Sequence, residues 1–346
     1  MNKQLVSLII LLAIVGAAIY YLFVQSAMHD QDKVRLFPTL ADNATRVERI
    51  KISSVNGVLL DAVPARSGWQ TRLDGVFVNY PVDQAQLAGL LEGLSQAVLF
   101  EAKTKRPENF DKLNLTDVSN PDSLATLVEV SRPGKTHKVL IGSQASSGQG
   151  TYARLVDNNQ SWLLDQSIQL PTDGFDWLRQ PILDFDVKQL SAIARMGDKG
   201  FSIQRNQAED GAFELTNLQP NQALKYATVI DGFVESVVNL SFDKILTDAE
   251  ANWSAETDII TYEISLEDGT AIQMQLLNAD PKAWVKFSRV TSTGQSYWDG
   301  LSYQISNFSA QQLDKQVTDF IKSESQAQQS QTRDVNIDEG ESPSGE

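Results

Sequence analysis

The sequence predicts an α+β protein with an N-terminal transmembrane helix, two tandem, internally duplicated units of antiparallel sheet plus helix, and a disordered C-terminal tail. Three observations predict this organisation. A run of 20 residues without a charged side chain begins at Leu5. Short alternating apolar runs separated by turn residues, which are typical of strands, fill the body of the chain. The chain also contains a weak internal repeat, in which the predicted helix of the first copy matches that of the second after a shift of 139 positions.

The predicted organisation has seven parts along the 346 residues. They are a cytoplasmic N-terminus (1–4), a transmembrane helix (5–24), a stalk (25–45), a first α+β repeat (46–170), a linking helix (171–188), a second α+β repeat (189–322) and a disordered acidic tail (323–346).

The apolar run ends at Val24 and is long enough for a helix to cross a hydrocarbon core of roughly 30 Å. Tyr20 and Phe23 near its end suit the membrane interface. The alternative is a signal peptide cleaved near Ser26, but such peptides usually have an apolar region of about 7 to 15 residues. We expect an uncleaved, single-pass anchor in the inner (cytoplasmic) membrane. The body then faces the periplasm or the cell exterior.

Each repeat is predicted to begin with three strands and to continue with a helix. The strands are 47–52, 58–63 and 68–70 in the first copy and 190–194, 201–205 and 212–214 in the second. The helix carries apolar residues at helical spacing on one face. These are Leu87, Leu90, Leu91, Leu94 and Val98, which correspond to Tyr226, Val229, Ile230, Phe233 and Val237; Gly93 corresponds to Gly232.

The second part of each repeat is predicted to be antiparallel strands joined by short turns. Pro133-Gly134 and Asp268-Gly269 lie between alternating apolar runs and predict hairpins. The predicted strands are 98–102, 127–131, 138–141, 152–156 and 161–164, and then 240–245, 261–266, 271–277, 284–287 and 302–305. A closing helix is predicted over 310–321. In the stalk, Leu36-Phe37-Pro38 is a candidate docking point for the body.

Charge and composition exclude several classes of function. The formal net charge of −15 has the wrong sign for a general nucleic-acid binder. The chain has no cysteine, which excludes thiol catalysis and cysteine-ligated metals. The tail has six acidic residues, one arginine and little apolar surface, so it cannot offset its ordering entropy.

Two histidines, one glycine-rich loop and several carboxylates are the remaining candidates for a binding or catalytic site. For each of them a purely structural role is favoured over a role in chemistry. His29 lies in the stalk, and His137 is expected at a solvent-exposed strand position. The loop 142–150 lacks the Gly-Lys-Ser/Thr of a phosphate-binding loop and is interpreted as a flexible hairpin loop. Carboxylates at Asp184, Asp186, Asp248, Glu250, Glu256 and Asp258 could support hydrolysis, but a solvated acidic loop is favoured. We therefore predict no catalytic, cofactor-binding or metal residue and no cofactor.

Several segments together resemble the bacterial family called domain of unknown function 4340. They are LFPTLADNATRVERIKI (36–52), Gly68-Trp69, YPVDQAQLAGLLEGLSQAVLFEAKT (80–104), Gly150-Thr151-Tyr152, Ser161-Trp162 and Asp176-Trp177-Leu178. The resemblance extends over most of 36–320 and implies one membrane span and an extracytoplasmic α+β body. Some members of the family look like auxiliary parts of an ABC-type export system associated with gliding motility. The resemblance implies no catalytic residues.

Three hypotheses of function follow. The favoured one is a non-enzymatic accessory or scaffold protein of an envelope complex such as an ABC-type transporter, with transporter subunits as partners and the membrane bound through Leu5 to Val24. The second is a glycan-, lipid- or peptide-binding module with a groove between the repeats. The third is a hydrolase that uses acidic residues near Asp184 or in 248–258.

Overall fold

The computed structural model describes residues 34–42, 46–72, 79–208, 211–216, 218–251, 253, 258–279, 282–290 and 296–323. The predicted N-terminus (1–4), the transmembrane helix (5–24) and, except for Ser323, the tail (323–346) lie outside these residues, as does His29. Within them, no helix has the length and apolar character needed to cross a membrane.

The chain divides into two compact units, and one short segment departs from chain order. Of the described residues, those in 34–71 and 82–177 form the first unit, and Arg72, 79–81 and those in 178–323 form the second. Each unit contains an antiparallel sheet and few helices. The α+β class with antiparallel sheets is therefore confirmed.

The first unit orders its strands as β3-β2-β1-β6-β7-β8-β9-β5. Its elements are α1 (Pro38–Asp42), β1 (Arg49–Ser54), β2 (Gly57–Ala65), β3 (Gly68–Arg72), α2 (Gln84–Gln96), β5 (Leu99–Ala102), β6 (Thr126–Arg132), β7 (Lys135–Gln144), β8 (Thr151–Leu155) and β9 (Ser161–Leu164). Strand β4 (Asn79–Pro81) belongs to the segment that is grouped with the second unit.

The second unit orders its strands as β12-β11-β10-β14-β15-β16-β17-β13. Its elements are β10 (Leu190–Arg195), β11 (Phe201–Arg205), β12 (Phe213–Leu215), α3 (Val229–Val238), β13 (Lys244–Thr247), β14 (Ile259–Leu266), β15 (Ala271–Ala279), β16 (Lys282–Arg289), β17 (Leu301–Ile305), α4 (Asn307–Leu313) and α5 (Val317–Phe320). Strand for strand, this order repeats that of the first unit, because β10 takes the place of β1 and β13 takes the place of β5.

Residues 34–42, which lie in the predicted stalk (25–45) and are called the lead-in here, are packed into the first unit. Leu36, Phe37 and Leu40 are buried in the same apolar cluster as Leu87 and Leu94 of α2. The backbone N–H of Leu36 donates to the carbonyl of Ala97 at 2.8 Å. Burial of these large apolar side chains stabilises the lead-in against the core of the first unit.

Aromatic side chains form the core of the second unit at the helix. Phe201, Phe233 and Phe320 lie with ring centroids 4.9–5.5 Å apart, and Tyr262 packs on the first two. Edge-to-face packing of this kind adds stability beyond the burial of apolar area. The hydroxyl of Tyr262 donates to the carbonyl of Leu313, which holds the end of α4 on this core.

The helix of the second unit begins later than the sequence predicts. Tyr226 was expected on its apolar face, but α3 begins at Val229 and the side chain of Tyr226 is 58% exposed. The preceding backbone is extended instead. The N–H of Lys225 donates to the carbonyl of Phe320 at 2.8 Å, and the N–H of Lys322 donates to the carbonyl of Ala223 at 2.9 Å. Extended pairing and helix cannot coexist at the same residues.

The predicted linking helix (171–188) is wrong. This segment contains two short 3-10 turns, Phe175–Trp177 and Val187–Gln189, and no α-helix. Pro181 lacks a backbone N–H and interrupts a continuous helix. Trp177, Leu178, Ile182 and Leu183 are nevertheless buried, as the apolar pattern predicts.

The predicted closing helix (310–321) is also wrong in extent, because it is divided into α4 and α5. The carbonyl of Lys315, between the two, accepts a hydrogen bond from Arg195 Nη1 rather than from a helical N–H. Gln316 and Asp319 then form a capping box that starts α5.

Candidate binding pocket in the second unit

The two carboxylates considered near residue 184 have structural partners. Asp184 pairs with Arg179 Nη1 at 2.6 Å. Arg179 also donates to the hydroxyl of Tyr297, whose pKa is raised to about 12 by burial, with Arg179 opposing the rise. Asp186 accepts from the N–H of Lys188 at 2.8 Å and caps the 3-10 turn that precedes β10. These contacts orient backbone and side chains.

The acidic loop that follows β13 is likewise bound internally. Ser302 Oγ donates to Asp248 Oδ1 at 2.6 Å. Glu250 accepts from the N–H of Thr247 at 2.9 Å and from its hydroxyl at 2.7 Å, and these bonds lower the pKa of Glu250. Asp258 is exposed, and Glu256 lies outside the described residues. Asp248 and Glu250 are therefore held by different local contacts.

His137 is buried, so the predicted solvent-exposed position is wrong. Its ring lies 4.9 Å from that of Phe37, and its Nε2 is 3.3 Å from the hydroxyl of Thr39. The lead-in covers this face of β7, which the strand pattern alone could not reveal. Burial, with Lys135 and Arg132, lowers the pKa of His137.

The predicted loop 142–150 is shorter in the structure, and its backbone groups form hydrogen bonds with one another. Strand β7 continues to Gln144, and the N–H of Ala145 donates to the carbonyl of Gly150 at 3.0 Å. A side chain at Gly142 would place its Cβ 2.2 Å from the carbonyl oxygen of Leu113. Glycine is thus required there for close packing of the backbone.

Across the described residues, no three acidic or histidine side chains converge as metal ligands would.

A pocket of about 180 Å³ lies in the second unit, where α3 meets the segments before and after it. Its floor is apolar and consists of the side chains of Val229, Phe233 and Phe320, which are all buried. Gly232 lies on the side of α3 that faces this space, and no heavy atom is within 4 Å of the position of its added Cβ. The absent side chain therefore leaves room beside the aromatic core.

The rim of this pocket is polar and carries two ammonium groups. It consists of Lys225, Tyr226, Gln312, Lys315 and Asp319. Asp319 Oδ2 accepts from the N–H of Gln316 at 2.9 Å. In the part of the chain that the structure describes, neither Lys225 nor Lys315 makes an ion pair. A floor of buried apolar side chains and a rim with two ammonium groups and one carboxylate suit a ligand that combines an apolar group with negative charge.

Sequence reasoning missed this pocket. Lys225 and Lys315 are far apart in the sequence and belong to no motif. Their segments come together through the pairing of 223–225 with 320–322 and the packing of α3 on α4. One feature of the sequence could have indicated the pocket. Gly232 lies among the apolar residues of the helix, where almost any larger side chain would stabilise the helix more than glycine does.

Comparison with known proteins identifies the family to which the chain belongs. The family model described as "Domain of unknown function (DUF4340)" matches residues 77–257. That range is more than half of the 346 residues. The chain belongs to the DUF4340 family. The match confirms the resemblance found in the sequence, and the DUF4340 region contains both α2 and α3. Neither the curated proteins nor the solved structures give a significant match.

Proposed function

We propose that this DUF4340 protein is a non-enzymatic accessory or scaffold component of an envelope complex such as an ABC-type transporter. In this proposal residues 5–24 anchor it in the cytoplasmic membrane, and its body faces the periplasm or the cell exterior. Transporter subunits in the membrane are its partners. The resemblance to family members that look like parts of an export system supports this choice of complex.

The observation that carries the proposal is the burial of the lead-in. Leu36, Phe37 and Leu40 are packed in the core of the first unit. They lie a short distance after the apolar run, which ends at Val24. The nine residues from 25 to 33 that separate the run from the lead-in span at most about 30 Å when extended. An anchor at 5–24 would therefore hold the first unit within reach of membrane partners.

The contacts of the acidic residues support a non-enzymatic role. Asp184 and Asp186 serve an ion pair and a cap, and Asp248 and Glu250 accept bonds from neighbouring hydroxyl and N–H groups. Groups used in this way stabilise the fold. The strand order of the first unit recurs in the second, which indicates that the two units arose by duplication. In this proposal the two units offer related surfaces to the complex.

In-cell photocrosslinking of the full-length protein tests the proposal. A photoreactive residue replaces Leu124 of the first unit (74% exposed) or Phe308 of the second (70% exposed), where substitution disturbs little packing. We expect covalent adducts with permease or ATPase subunits. The matched control replaces 5–24 with a cleaved secretion signal, and it should lose at least about tenfold of these adducts as effective concentration falls. Adducts with the protein alone would contradict the proposal.

A second test addresses the non-enzymatic role. Asp184→Asn and Asp248→Asn keep the shape of each side chain and remove its charge. We expect both variants to support cell growth and motility whenever their unfolding midpoint stays near that of the unchanged protein. A variant that folds fully and still loses the cellular phenotype would indicate a chemical role for its carboxylate.

A binding module remains the second candidate, favoured by the pocket over Phe233 and Phe320. A thermal-shift screen of glycans, lipids and peptides from the envelope tests it. A ligand should raise the unfolding temperature in a concentration-dependent way in the unchanged protein. Gly232→Met, which fills the pocket, should abolish that response, whereas Gly93→Met on α2 of the first unit should retain it, since no heavy atom lies within 4 Å of an added Cβ there either.

A further inference from the structure

The pocket over α3 favours an occupant with an apolar side chain next to carboxylates. Phe233 and Phe320 lie beneath the pocket with little of their rings exposed, and Lys225 and Lys315 offer two ammonium groups beside the single carboxylate of Asp319. Neither lysine makes an ion pair among the described residues. The formal charge of the whole chain is −15. A negatively charged segment is therefore repelled by most of the protein and attracted locally at this rim.

The chain itself passes the pocket just before the tail. Phe320 is part of the floor, and the carbonyl of Phe320 accepts from the N–H of Lys225 at 2.8 Å. The N–H of Lys322 donates to the carbonyl of Ala223 at 2.9 Å. The tail thus starts at Ser323, beside the segment that carries Lys225.

The sequence of the tail contains one stretch that matches the pocket. Residues 334–339 read DVNIDE, in which Val335 and Ile337 are the apolar residues and three of the other four are acidic. In an extended chain, residues two apart lie on the same face. Val335 and Ile337 would then share one face, with carboxylates on both sides of them.

The length of the tail permits this stretch to return to the pocket. Val335 is the twelfth residue after Ser323, and a flexible chain of that length has an end-to-end distance of roughly 20 Å. Attachment in the same chain gives an effective concentration of about 1 mM or more, so weak contacts suffice for occupancy.

We infer that residues 334–339 of the tail dock intramolecularly in this pocket. Val335 or Ile337 lies over Phe233 and Phe320, and the adjacent carboxylates face Lys225 and Lys315. The pocket is then an internal docking site that an acidic segment of a partner can take over by displacing the tail. This inference is independent of the proposed role in a transporter complex, and its test does not need a membrane partner.

Disulfide trapping in the full chain tests the inference, because the sequence has no cysteine of its own. The trapping variant combines Gly232→Cys, where an added Cβ meets open space, with Ile337→Cys. Two matched variants serve as controls: Gly232→Cys with Ala327→Cys, and Gly93→Cys with Ile337→Cys. Oxidised glutathione is the oxidant, and the rate of intramolecular disulfide formation is measured on denaturing gels.

We expect the trapping variant to form its disulfide at least about tenfold faster than either control, as the local concentration at a docked site requires. Adding Lys225→Glu and Lys315→Glu should remove this advantage, and so should about 1 M salt, which screens surface charge. Equal rates in all three variants overturn the inference. Fast trapping that survives both charge reversals also overturns it, because the lysines then play no part. Unchanged unfolding midpoints establish that each variant is folded.

Discussion

Trp253 donates its indole N–H to the hydroxyl oxygen of Ser302 at 2.7 Å, and both side chains are buried. Ser302 in turn donates to Asp248 Oδ1 at 2.6 Å. The chain of hydrogen bonds ties the loop after β13 to strand β17. Asp248, a candidate for hydrolysis on sequence grounds, is thereby the acceptor that orients a structural serine.

Replacing Ser302 should reveal this relationship. Ser302→Ala leaves the indole N–H of Trp253 buried without its acceptor, which should lower the free energy of unfolding by about 1–3 kcal/mol. Denaturant unfolding measures the change. The double variant with Trp253→Phe, which removes the donor as well, should cost less than the two single changes together. Additive costs would mean that the bond contributes little.

Acid should weaken the fold through His137. Burial first, then Lys135 and Arg132, lowers the pKa of His137 in the folded protein below its ordinary value of 6.5. The unfolded chain therefore binds this proton more readily than the folded one, so stability is complete above 6.5 and falls as the pH drops through the folded pKa. Unfolding midpoints of the unchanged protein and of His137→Gln, measured from about pH 7.5 to 5, give the difference. Parallel curves for the two proteins would refute this effect.

Two glycines should respond in opposite ways to alanine. Gly142→Ala places a Cβ 2.2 Å from a carbonyl oxygen, so the strand must shift and stability should fall by about 1–3 kcal/mol. Gly232→Ala meets open space in the interior of α3, so helix propensity should raise stability by about 0.5–1 kcal/mol. Calorimetry or denaturant unfolding measures both. A loss of stability at Gly232 would show that its side of the helix is already filled.

Removal of one lead-in side chain should destabilise the first unit. Phe37 is 2% exposed, and Phe37→Ala should cost about 3–5 kcal/mol through lost burial and the cavity left behind. Val34, three residues earlier and 59% exposed, supplies the control, since Val34→Ala should change stability by less than about 0.5 kcal/mol. Equal effects at the two positions would contradict the docking of the lead-in.

The strands were predicted well because each one is marked by its own alternation of apolar residues and by the turn residues that flank it. The alternating runs at 201–205 and 161–164 coincide with β11 and β9, and the Asp268-Gly269 turn joins β14 to β15. Gly269 there has a φ of +83°, which glycine adopts without strain. The predicted match between the two helices failed at one position in each copy. Val98 lies beyond the end of α2 at Gln96, and Tyr226 lies before the start of α3, next to residues 223–225, which pair with 320–322.

What the sequence could not predict depends on contacts between distant residues. His137 is buried because the lead-in covers it, and the gap between α4 and α5 depends on Arg195, which comes from another strand. The pocket needs Lys225 and Lys315 together, and no spacing rule connects them. The carboxylates near 184 and 248 suggested chemistry by number alone, and no local pattern predicted the ion pair of Asp184, the cap formed by Asp186 or the serine that donates to Asp248.

The grouping of β4, residues 79–81, with the second unit has a consequence for biosynthesis. Tyr80 is fully buried against Phe242, Tyr297 and Tyr303, yet more than about two hundred residues are translated between Tyr80 and Tyr303. At roughly 5–20 residues per second the ribosome needs on the order of ten seconds or more for that stretch. A nascent chain therefore keeps an aromatic strand uncovered while the rest of its unit is still being made.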